Sequence, residues 1–459
     1  MLIASISGIR GTLGEHIGKD LTRTDVRHFV SAYAEHITQK KGKKKVVLGR
    51  DARPSGTWIK KEAIDVLTSY GINIVDVDLV PTPTVEFAVI REKADGGIVI
   101  SASHNPAQYN GLKFLNEHGE FVSASVGKKI LALYTKARFP SKKIKKGKVV
   151  KMGNYIDHHI RAIGRLPLVQ KNLIKKANFT VAVDGINSVG GIAIPKLLRF
   201  LGVTNIVEIH TKPTGIFAHT PEPLPENLTE LASIIKKTKA DVGIAVDPDA
   251  DRGVLFTERG DCFGEEYSLV AVADYVLSKK KGNAVSNIAS SVALRDVALA
   301  RGGKYFSSPV GEANVVKEVK KRKALIGGEG GSGVGVIYPP LHYGRDSLVG
   351  VALFLSMLAQ EGGTVSDIRE RLPQYEMVKE KISCPDSKTV ERIMKFAGKL
   401  DDDARVDTRD GIRIDYEDCW ISFRKSNTEP IIRIYTEAPT KRSAQMLADI
   451  WKKKLLSLL

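Results

Sequence analysis

Two short stretches, far apart in the chain, carry residue types that can do chemistry together. Ser101-Ala102-Ser103-His104-Asn105-Pro106 presents a serine in a tight polar turn directly after the apolar run Gly97-Ile98-Val99-Ile100. Asp247-Pro248-Asp249-Ala250-Asp251-Arg252 presents three carboxylates at alternate positions after Val242-Gly243-Ile244-Ala245-Val246. Alternate residues of an extended segment point the same way, so Asp247, Asp249 and Asp251 are expected to converge on one hard cation. A serine hydroxyl beside a Mg2+ site is a place to hold and pass on a phosphoryl group.

Each stretch has plainer readings. A serine after a strand is commonly turn chemistry, and no Gly-x-Ser-x-Gly elbow surrounds Ser103 to suggest a hydrolase. The acidic run fits positions one, three and five of a calcium loop, with Glu258 at position twelve, but Arg252 stands where that loop needs glycine. A phosphatase of the haloacid-dehalogenase type would use Asp247 as nucleophile, yet wants Thr or Val where Asp251 stands. A solvated acidic turn would crowd three carboxylates against Arg252 alone, so a metal is the stronger reading. Further along, Arg424-Lys425-Ser426-Asn427-Thr428-Glu429-Pro430, with Arg433 beyond it, offers a guanidinium, two hydroxyls and an amide that suit phosphate oxygens. Glu329, within Gly327-Gly328-Glu329-Gly330-Gly331-Ser332-Gly333, can accept hydrogen bonds from sugar hydroxyls, although the glycines would equally suit an inert turn.

The elements that must position these residues follow an alternating pattern. Thr24 is expected to cap a helix with the stripe Val26, Phe29, Val30, Tyr33, Ala34 and Ile37. Val46-Val47-Leu48 and Ile72-Asn73-Ile74-Val75 read as strands around a helix from about Thr57, and Pro81-Thr82-Pro83 as a break before another helix. The pattern recurs: strands Thr180 to Gly185, Asn205 to His210 and Val242 to Val246, with helices near Ile192 to Phe200 and Leu228 to Lys237. Ala94-Asp95-Gly96-Gly97-Ile98-Val99-Ile100 also resembles Ala240-Asp241-Val242-Gly243-Ile244-Ala245-Val246, which suggests duplicated units. A third unit starts near Asp261 and brings a strand Ala324-Leu325-Ile326 to the glycine-rich loop. Short apolar strands between helices predict mixed, mainly parallel sheets, with ligands beyond the carboxyl ends of the strands. After about Gln374 the texture changes to a smaller α+β domain. The expected domains are 1–152, 153–258, 259–372 and 373–459.

Composition narrows the class. A chain of 459 residues is too long for one core. No apolar run has the length of a membrane span, the N-terminus lacks a signal-peptide pattern, and Cys262, Cys384 and Cys419 have neither disulfide nor zinc spacing. A cytoplasmic protein with reduced thiols and no membrane partner is expected. The net charge of +18 comes from short lysine runs without interleaved aromatics, which argues against nucleic acid and for an anionic small molecule.

Taken together, these stretches resemble the α-D-phosphohexomutase superfamily over the length of the chain. The resemblance makes the 101–106 stretch the active-serine loop, 247–252 the metal loop, Gly328-Glu329 the start of the sugar loop, and 424–430 the phosphate loop. It implies four domains around a central cleft, a phosphorylated Ser103 that is also a ligand of Mg2+ with Asp247, Asp249 and Asp251, and His104 and Arg252 beside the reacting group. Ser7-Gly8-Ile9-Arg10-Gly11 is similar to the family's Gly-Ile-Arg-Gly and places Arg10 near the phosphoryl group; Gly111-Leu112-Lys113-Phe114 makes Lys113 the proton-transfer lysine. Substrate contacts would come from Glu329, Ser332, Arg424, Ser426, Asn427, Thr428 and Arg433. The sugar loop departs from the Glu-x-Ser-Gly-His found in many members: Ser332 is displaced by one position and the histidine is absent. Glycine-rich versions with a downstream His342-Tyr343-Gly344-Arg345-Asp346 look most like phosphoglucosamine mutases, with the phosphomannomutase/phosphoglucomutase branch close. The implied activity interconverts hexose 6-phosphate and 1-phosphate, with hexose 1,6-bisphosphate as activator, sugar phosphates as small-molecule partners, and a monomer or homodimer as the assembly. A metal-dependent sugar-phosphate phosphatase is the more distant alternative.

Overall fold

The computed structural model describes residues 2–5, 8–39, 42, 44–134, 144–330, 335–397, 404–425 and 430–457. One arrangement of four strands occurs three times. In the first unit Tyr109–Leu115, Gly96–Ile100, Lys45–Arg50 and Asn73–Leu79 lie side by side; in the second, Gly253–Phe256, Val242–Val246, Thr180–Asp184 and Asn205–Ile209; in the third, Gly335–Ile337, Ile326–Glu329, Ala284–Asn287 and Tyr305–Ser308. Each time three strands are parallel and the last in sequence folds back antiparallel on the one before it. The first sheet is extended by Gly8–Thr12 and Leu2–Ser5 at one edge and Val149–Lys151 at the other. The fourth domain is an antiparallel sheet, Glu376–Ser383, Ile431–Ala438, Trp420–Lys425, Ile412–Asp415 and Arg405–Asp407, with helices Ser387–Ala397 and Lys441–Leu456. The duplicated-unit reading is therefore correct, and it extends to the third unit.

The repeat explains where the chemistry lies. Gly96–Ile100, Val242–Val246 and Ile326–Glu329 are each buried throughout, as their apolar and glycine content requires. In the first two units the polar residues follow at once, in the connection to the antiparallel strand; in the third, Glu329 ends the strand itself, so all three groups lie at equivalent strand ends.

Several local expectations need correction. Thr22, not Thr24, caps the first helix, Arg23–Thr38; its hydroxyl and Asp25 form a reciprocal capping box, a signal hidden by the more obvious Thr24. Pro81-Thr82-Pro83 opens a helix rather than only breaking the chain: Thr82–Arg91 carries Pro83 in its first turn, where a missing N–H costs nothing. The third unit's strand begins at Ile326 and includes Gly327, Gly328 and Glu329, so Glu329 is a strand-end residue held by sheet pairing to Gly335. Asp247 to Arg252 is a compact turn, not an extended run. Asp247 N and Ala250 N donate to Arg252 O and Asp247 O, at 3.3 and 2.9 Å, and Ala250 has a φ of 51°. The carboxylates converge because the turn folds them together, not because a strand alternates.

A continuous apolar cluster runs through the first three units, from Val89 through Ile244 and Leu269 to Phe354. Its hub is the helix Ser347–Glu361, buried on nearly every side and packed on Tyr155–Ile163, Lys171–Ala177, Gly190–Leu201 and Tyr267–Lys279. Asp346 caps this helix by accepting from Leu348 N and Val349 N, and Ser347 Oγ donates to Ala250 O at 2.7 Å, so the hub helix bears on the acidic turn. The fourth domain keeps its own core around Ile414, Phe423 and Trp451. It meets the third unit through polar bonds: Arg413 Nη1 to Ile288 O at 2.5 Å and Val292 N to Glu437 Oε2 at 2.9 Å.

Glu266 lies near that junction, and burial pushes its carboxyl up to about 8, with Lys379 opposing the shift. Its Oε2 accepts from Ser291 N at 3.3 Å, while a side chain at Gly330 would collide with the carboxyl group. A raised folded-state pKa means that folding takes up a proton between the ordinary value of 4.5 and about 8. The associated stability is present below that window and is lost as pH rises through it. Urea midpoints between pH 5 and 9 should therefore fall with pH in the wild-type chain. Glu266→Gln should flatten that slope and gain on the order of 1–3 kcal/mol relative to wild type at the alkaline end.

Candidate active site

The 101–106 loop is built from below by a residue that sequence reading passed over. Arg53 is fully buried, and its guanidinium donates to the carbonyls of Ser103 (2.7 Å), Asn105 (2.6 Å), Pro106 (2.7 Å) and Tyr109 (3.0 Å). Asp51 balances its charge, accepting from Arg53 Nε at 3.1 Å and from Arg53 N at 3.0 Å. A rigid fork of donors is what four converging carbonyls need. Above this support Ser103 adopts a φ of 50°, a left-handed conformation that costs a serine about 1–2 kcal/mol, and its N–H donates to Ser101 Oγ at 2.8 Å.

The strained turn aims Ser103 Oγ across the interface between the first two units. It donates to Asp247 Oδ2 at 2.8 Å and accepts from Arg252 Nη2 at 3.1 Å. Arg252 also holds Asp247 Oδ2 at 3.0 Å and donates to His104 Nδ1 at 2.6 Å. A guanidinium can only donate, so His104 presents a lone pair there and is neutral. Burial, then Arg252 and Arg10, push its pKa down to about 2.

Asp247, Asp249 and Asp251 are fully buried, and one oxygen from each lies within 4.8 Å of the others. Their second oxygens are tied down. Asp249 Oδ2 accepts from Lys113 Nζ at 2.6 Å and Thr82 Oγ1 at 2.5 Å; Asp251 Oδ2 accepts from Arg345 Nη2 at 2.8 Å. Among the described residues, Asp249 Oδ1 and Asp251 Oδ1 are buried and accept no hydrogen bond. Burial, then Asp251 and Asp249, push the Asp247 carboxyl up to about 7. Burial opposes ionisation of Asp251 too, but Arg345, Lys113 and Arg252 hold it well below the usual carboxylate range. Against the same burial, Asp249 and Asp251 hold Lys113 firmly cationic. Two orphaned buried oxygens and a repelling third carboxylate fit a divalent cation bound by hard oxygen ligands.

The third unit closes the cleft with Glu329, Glu312 and Arg345. Glu329 Oε1 accepts from Gly311 N at 2.6 Å and Asn287 Nδ2 at 3.0 Å, and its Oε2 lies 3.5 Å from Arg345 Nη1. Arg345 Nε donates to Glu312 Oε2 at 2.9 Å, so one guanidinium links two carboxylates of the third unit to the acidic turn. Arg345 and Glu312 were not singled out as site residues; the motif His342 to Asp346 was the one available hint. A cavity of about 230 Å³ is lined by Ser103, Arg10, Lys113, Arg252, Glu329 and Arg345, among others.

Arg10 Nη1 donates to Asn105 Oδ1 at 3.2 Å, and partial burial, then Arg252 and Arg433, lower its pKa. Arg433 thus reaches the same positive end of the cleft, paired in register with Arg424. Arg424 Nη2 is engaged by Asp410, with the nearest oxygen at 3.0 Å, and Asp410 Oδ2 accepts from Val310 N at 2.8 Å. Ser332, Ser426, Asn427 and Thr428 lie outside the described residues. The structure therefore brings together Ser103, His104, Arg252, the three aspartates, Lys113, Arg10 and Glu329.

Three copies of one α/β plan, loops meeting at a carboxylate cluster, and a small antiparallel fourth domain define the phosphohexomutase class of fold. Comparison with known proteins agrees. Sequence models described as phosphoglucomutase/phosphomannomutase alpha/beta/alpha domains I, II and III match residues 3–141, 154–260 and 265–375, and the C-terminal domain of that family matches 380–453. The chain belongs to the phosphoglucomutase/phosphomannomutase family, and it is an enzyme. A phosphoglucomutase/phosphomannomutase of Thermococcus kodakarensis is 34% identical, over 98% of this chain and 97% of the relative. A Pyrococcus abyssi protein named "Probable phosphoglucosamine mutase" is also 34% identical, over 88% of each. The crystal structure of a phosphoglucomutase/phosphomannomutase family protein from Burkholderia thailandensis superposes with a TM-score of 0.85 at 27% identity, covering 100% of this chain and 98% of that one.

Arg53 yields a direct test of how the serine loop is held. Arg53→Ala leaves Asp51 buried and unpaired, and should cost about 3–5 kcal/mol in chemical denaturation. Arg53→Lys keeps the charge but not the fork. It should melt closer to wild type yet lose at least about tenfold in kcat, with a smaller change in KM, because a misplaced Ser103 reacts slowly without binding substrate more weakly.

Proposed function

We propose that this enzyme interconverts a hexosamine 6-phosphate and its 1-phosphate, with glucosamine 6-phosphate as the preferred substrate. The observation that carries the mutase chemistry is Ser103 Oγ, 2.8 Å from Asp247 Oδ2 in a cavity shared with Arg10, Lys113 and Glu329. Ser103 carries the transferred phosphoryl group. Asp247, Asp249 and Asp251, with the serine oxygen, would hold Mg2+, which would offset phosphoryl charge. The phosphorus–oxygen bond to Ser103 breaks as a bond to the free sugar hydroxyl forms; the hydroxyl proton ends on the Ser103 oxygen. Lys113, held cationic, gives its own proton to the Ser103 oxygen and is reprotonated by the sugar hydroxyl, so the net transfer is from hydroxyl to serine. The resulting bisphosphate turns in the cleft and returns its other phosphoryl group to Ser103. Added hexose 1,6-bisphosphate would therefore act as an activator by phosphorylating an empty Ser103.

The charged groups that line the cleft support the choice of sugar. Arg10 lies near Arg252 and Arg433, a positive group suited to phosphate, while Glu329 and Glu312 also line the cavity with Arg345 between them. Among the described residues Glu329 Oε2 lies 3.5 Å from Arg345 Nη1 and accepts no short hydrogen bond, which suits it to meet an ammonium or a hydroxyl. Phosphomannomutase/phosphoglucomutase activity is the second reading, supported by the same family and by the name of the Thermococcus kodakarensis relative.

Ser103→Ala should abolish turnover while leaving the thermal melt intact, and intact-mass spectrometry should find one phosphate on active protein that the variant lacks. Substantial turnover by the variant would refute the phosphoserine role. Chelation, or Asp249→Asn, should remove activity, and Mg2+ should raise the melting temperature of the chelated wild type by relieving repulsion among the aspartates. For the sugar, the ratio of kcat/KM for glucosamine 6-phosphate over glucose 6-phosphate should exceed one. Glu329→Gln should lower that ratio about tenfold, the equivalent of about 1–2 kcal/mol for an ion pair in a closed cleft. An unchanged ratio, or a wild-type preference for glucose or mannose, would favour the second reading.

A further inference from the structure

One strand over from the acidic turn, the second sheet ends in another convergent cluster. Asp184, the last residue of Thr180–Asp184, is 1% exposed, and its Oδ1 accepts from Ile186 N at 2.9 Å. Its Oδ2 faces two imidazoles: His210 Nδ1 at 3.2 Å and His219 Nε2 at 3.1 Å. The opposite nitrogen of each ring faces an atom that can only accept. His219 Nδ1 lies 2.9 Å from Thr220 O, and His210 Nε2 lies 3.4 Å from Glu230 Oε2. Each ring thus faces an acceptor at both nitrogens, and a neutral imidazole has one proton to offer the two. The unmatched acceptor on each ring is satisfied by a positive centre: an extra proton on each ring, or one metal ion beside Asp184.

The three ligand atoms lie within 4.8 Å of one another, close enough for one metal ion. Separations of 3.1 and 3.2 Å are those of ligand atoms bonded to one ion at about 2.0–2.2 Å with an angle of roughly 100°. A backbone carbonyl and a carboxylate on the far nitrogens are also the partners that orient ligating histidines. We propose that Asp184, His210 and His219 form a second metal site, distinct from the aspartate turn, which takes a borderline divalent ion of the zinc class. Two imidazoles and one carboxylate suit such an ion better than Mg2+, which prefers oxygen ligands throughout.

The site would brace the serine loop from behind. Both histidines belong to the irregular segment of residues 210–222, which crosses onto the first unit. Gly215 N donates to Asn187 O at 2.9 Å, Phe217 covers the Arg53 guanidinium at 4.8 Å from its ring centre, and Glu222 lies 4.0 Å from His104 Nε2. An ion joining His210 and His219 to Asp184 fixes the stretch between them, with Phe217 over Arg53, and Arg53 holds the carbonyls of the serine loop.

The test uses the full chain, stripped by chelation and then held in saturating Mg2+ so that the aspartate turn is engaged. Titration with Co2+ should give one bound ion per chain with visible ligand-field absorption, displaced by one equivalent of Zn2+; Zn2+ should also raise the melting temperature. His219→Ala and His210→Gln should each weaken Co2+ binding at least about tenfold and lose the Zn2+ shift in melting. Failure of the wild-type chain to take up Co2+ under saturating Mg2+ overturns the site whatever the variants do. Variants that keep the full absorption overturn it as well, and the contacts are then imidazolium–carboxylate pairs. Neither result bears on whether Ser103 carries phosphate.

Discussion

Three carboxylates folded into one buried turn set the terms for the rest of this molecule. Like charges a few ångströms apart repel by about 4 kcal/mol per pair at an effective dielectric near 20. The turn supplies one cation of its own, Arg252, and requires the rest from outside itself. Lys113 comes from the first unit, Arg252 from the end of the turn and Arg345 from the third unit, each in contact with an aspartate. Because no single unit can neutralise the turn, the three units must close around it. The charge balance that stabilises the cleft is also the field in which a phosphoryl group would move.

The repeat gives this arrangement its economy. In each unit the third strand is buried and apolar, and the polar residues appear where the chain leaves the sheet to fold back beside it. Three equivalent strand ends then bring a serine, an acidic turn and a glutamate to one cavity. The helix Ser347–Glu361 sits among them, and its Ser347 bonds to the acidic turn, which couples the apolar core directly to the site. The fourth domain differs: its own core is separate, and its contacts with the third unit are polar and localised. Interfaces of that kind permit rigid-body movement, which a mutase needs if substrate is to enter, turn and leave while water is kept from the reacting group.

Much of this was legible in the chain. The Ser103 loop, the Asp247 to Arg252 motif, the likeness of the strands ending at Ile100 and Val246, and the change of texture near Gln374 all rest on local residue order. The misread details are instructive. Thr22 and Asp25 cap each other, a reciprocal bond that a single favourable residue such as Thr24 obscures. The aspartates converge through a turn with a left-handed Ala250, a conformation that the residue type does not announce. Glu329 belongs to a strand because Gly327 and Gly328 pair with a neighbour, overriding their weak intrinsic preference.

Arg53, Arg345 and Glu312 escaped notice for a different reason. Each acts through partners 30 to 90 or more residues distant, and an arginine or glutamate at those positions is ordinary in isolation. The same is true of Asp184, His210 and His219, whose spacing resembles no metal motif. By itself, the sequence determined which short segments could carry chemistry and that they lay at the ends of buried strands, because strand burial and turn formation are set by neighbouring residues. Tertiary structure alone decided which cations neutralise which carboxylates, since burial and Coulombic pairing depend on distances that exist only after the units have packed.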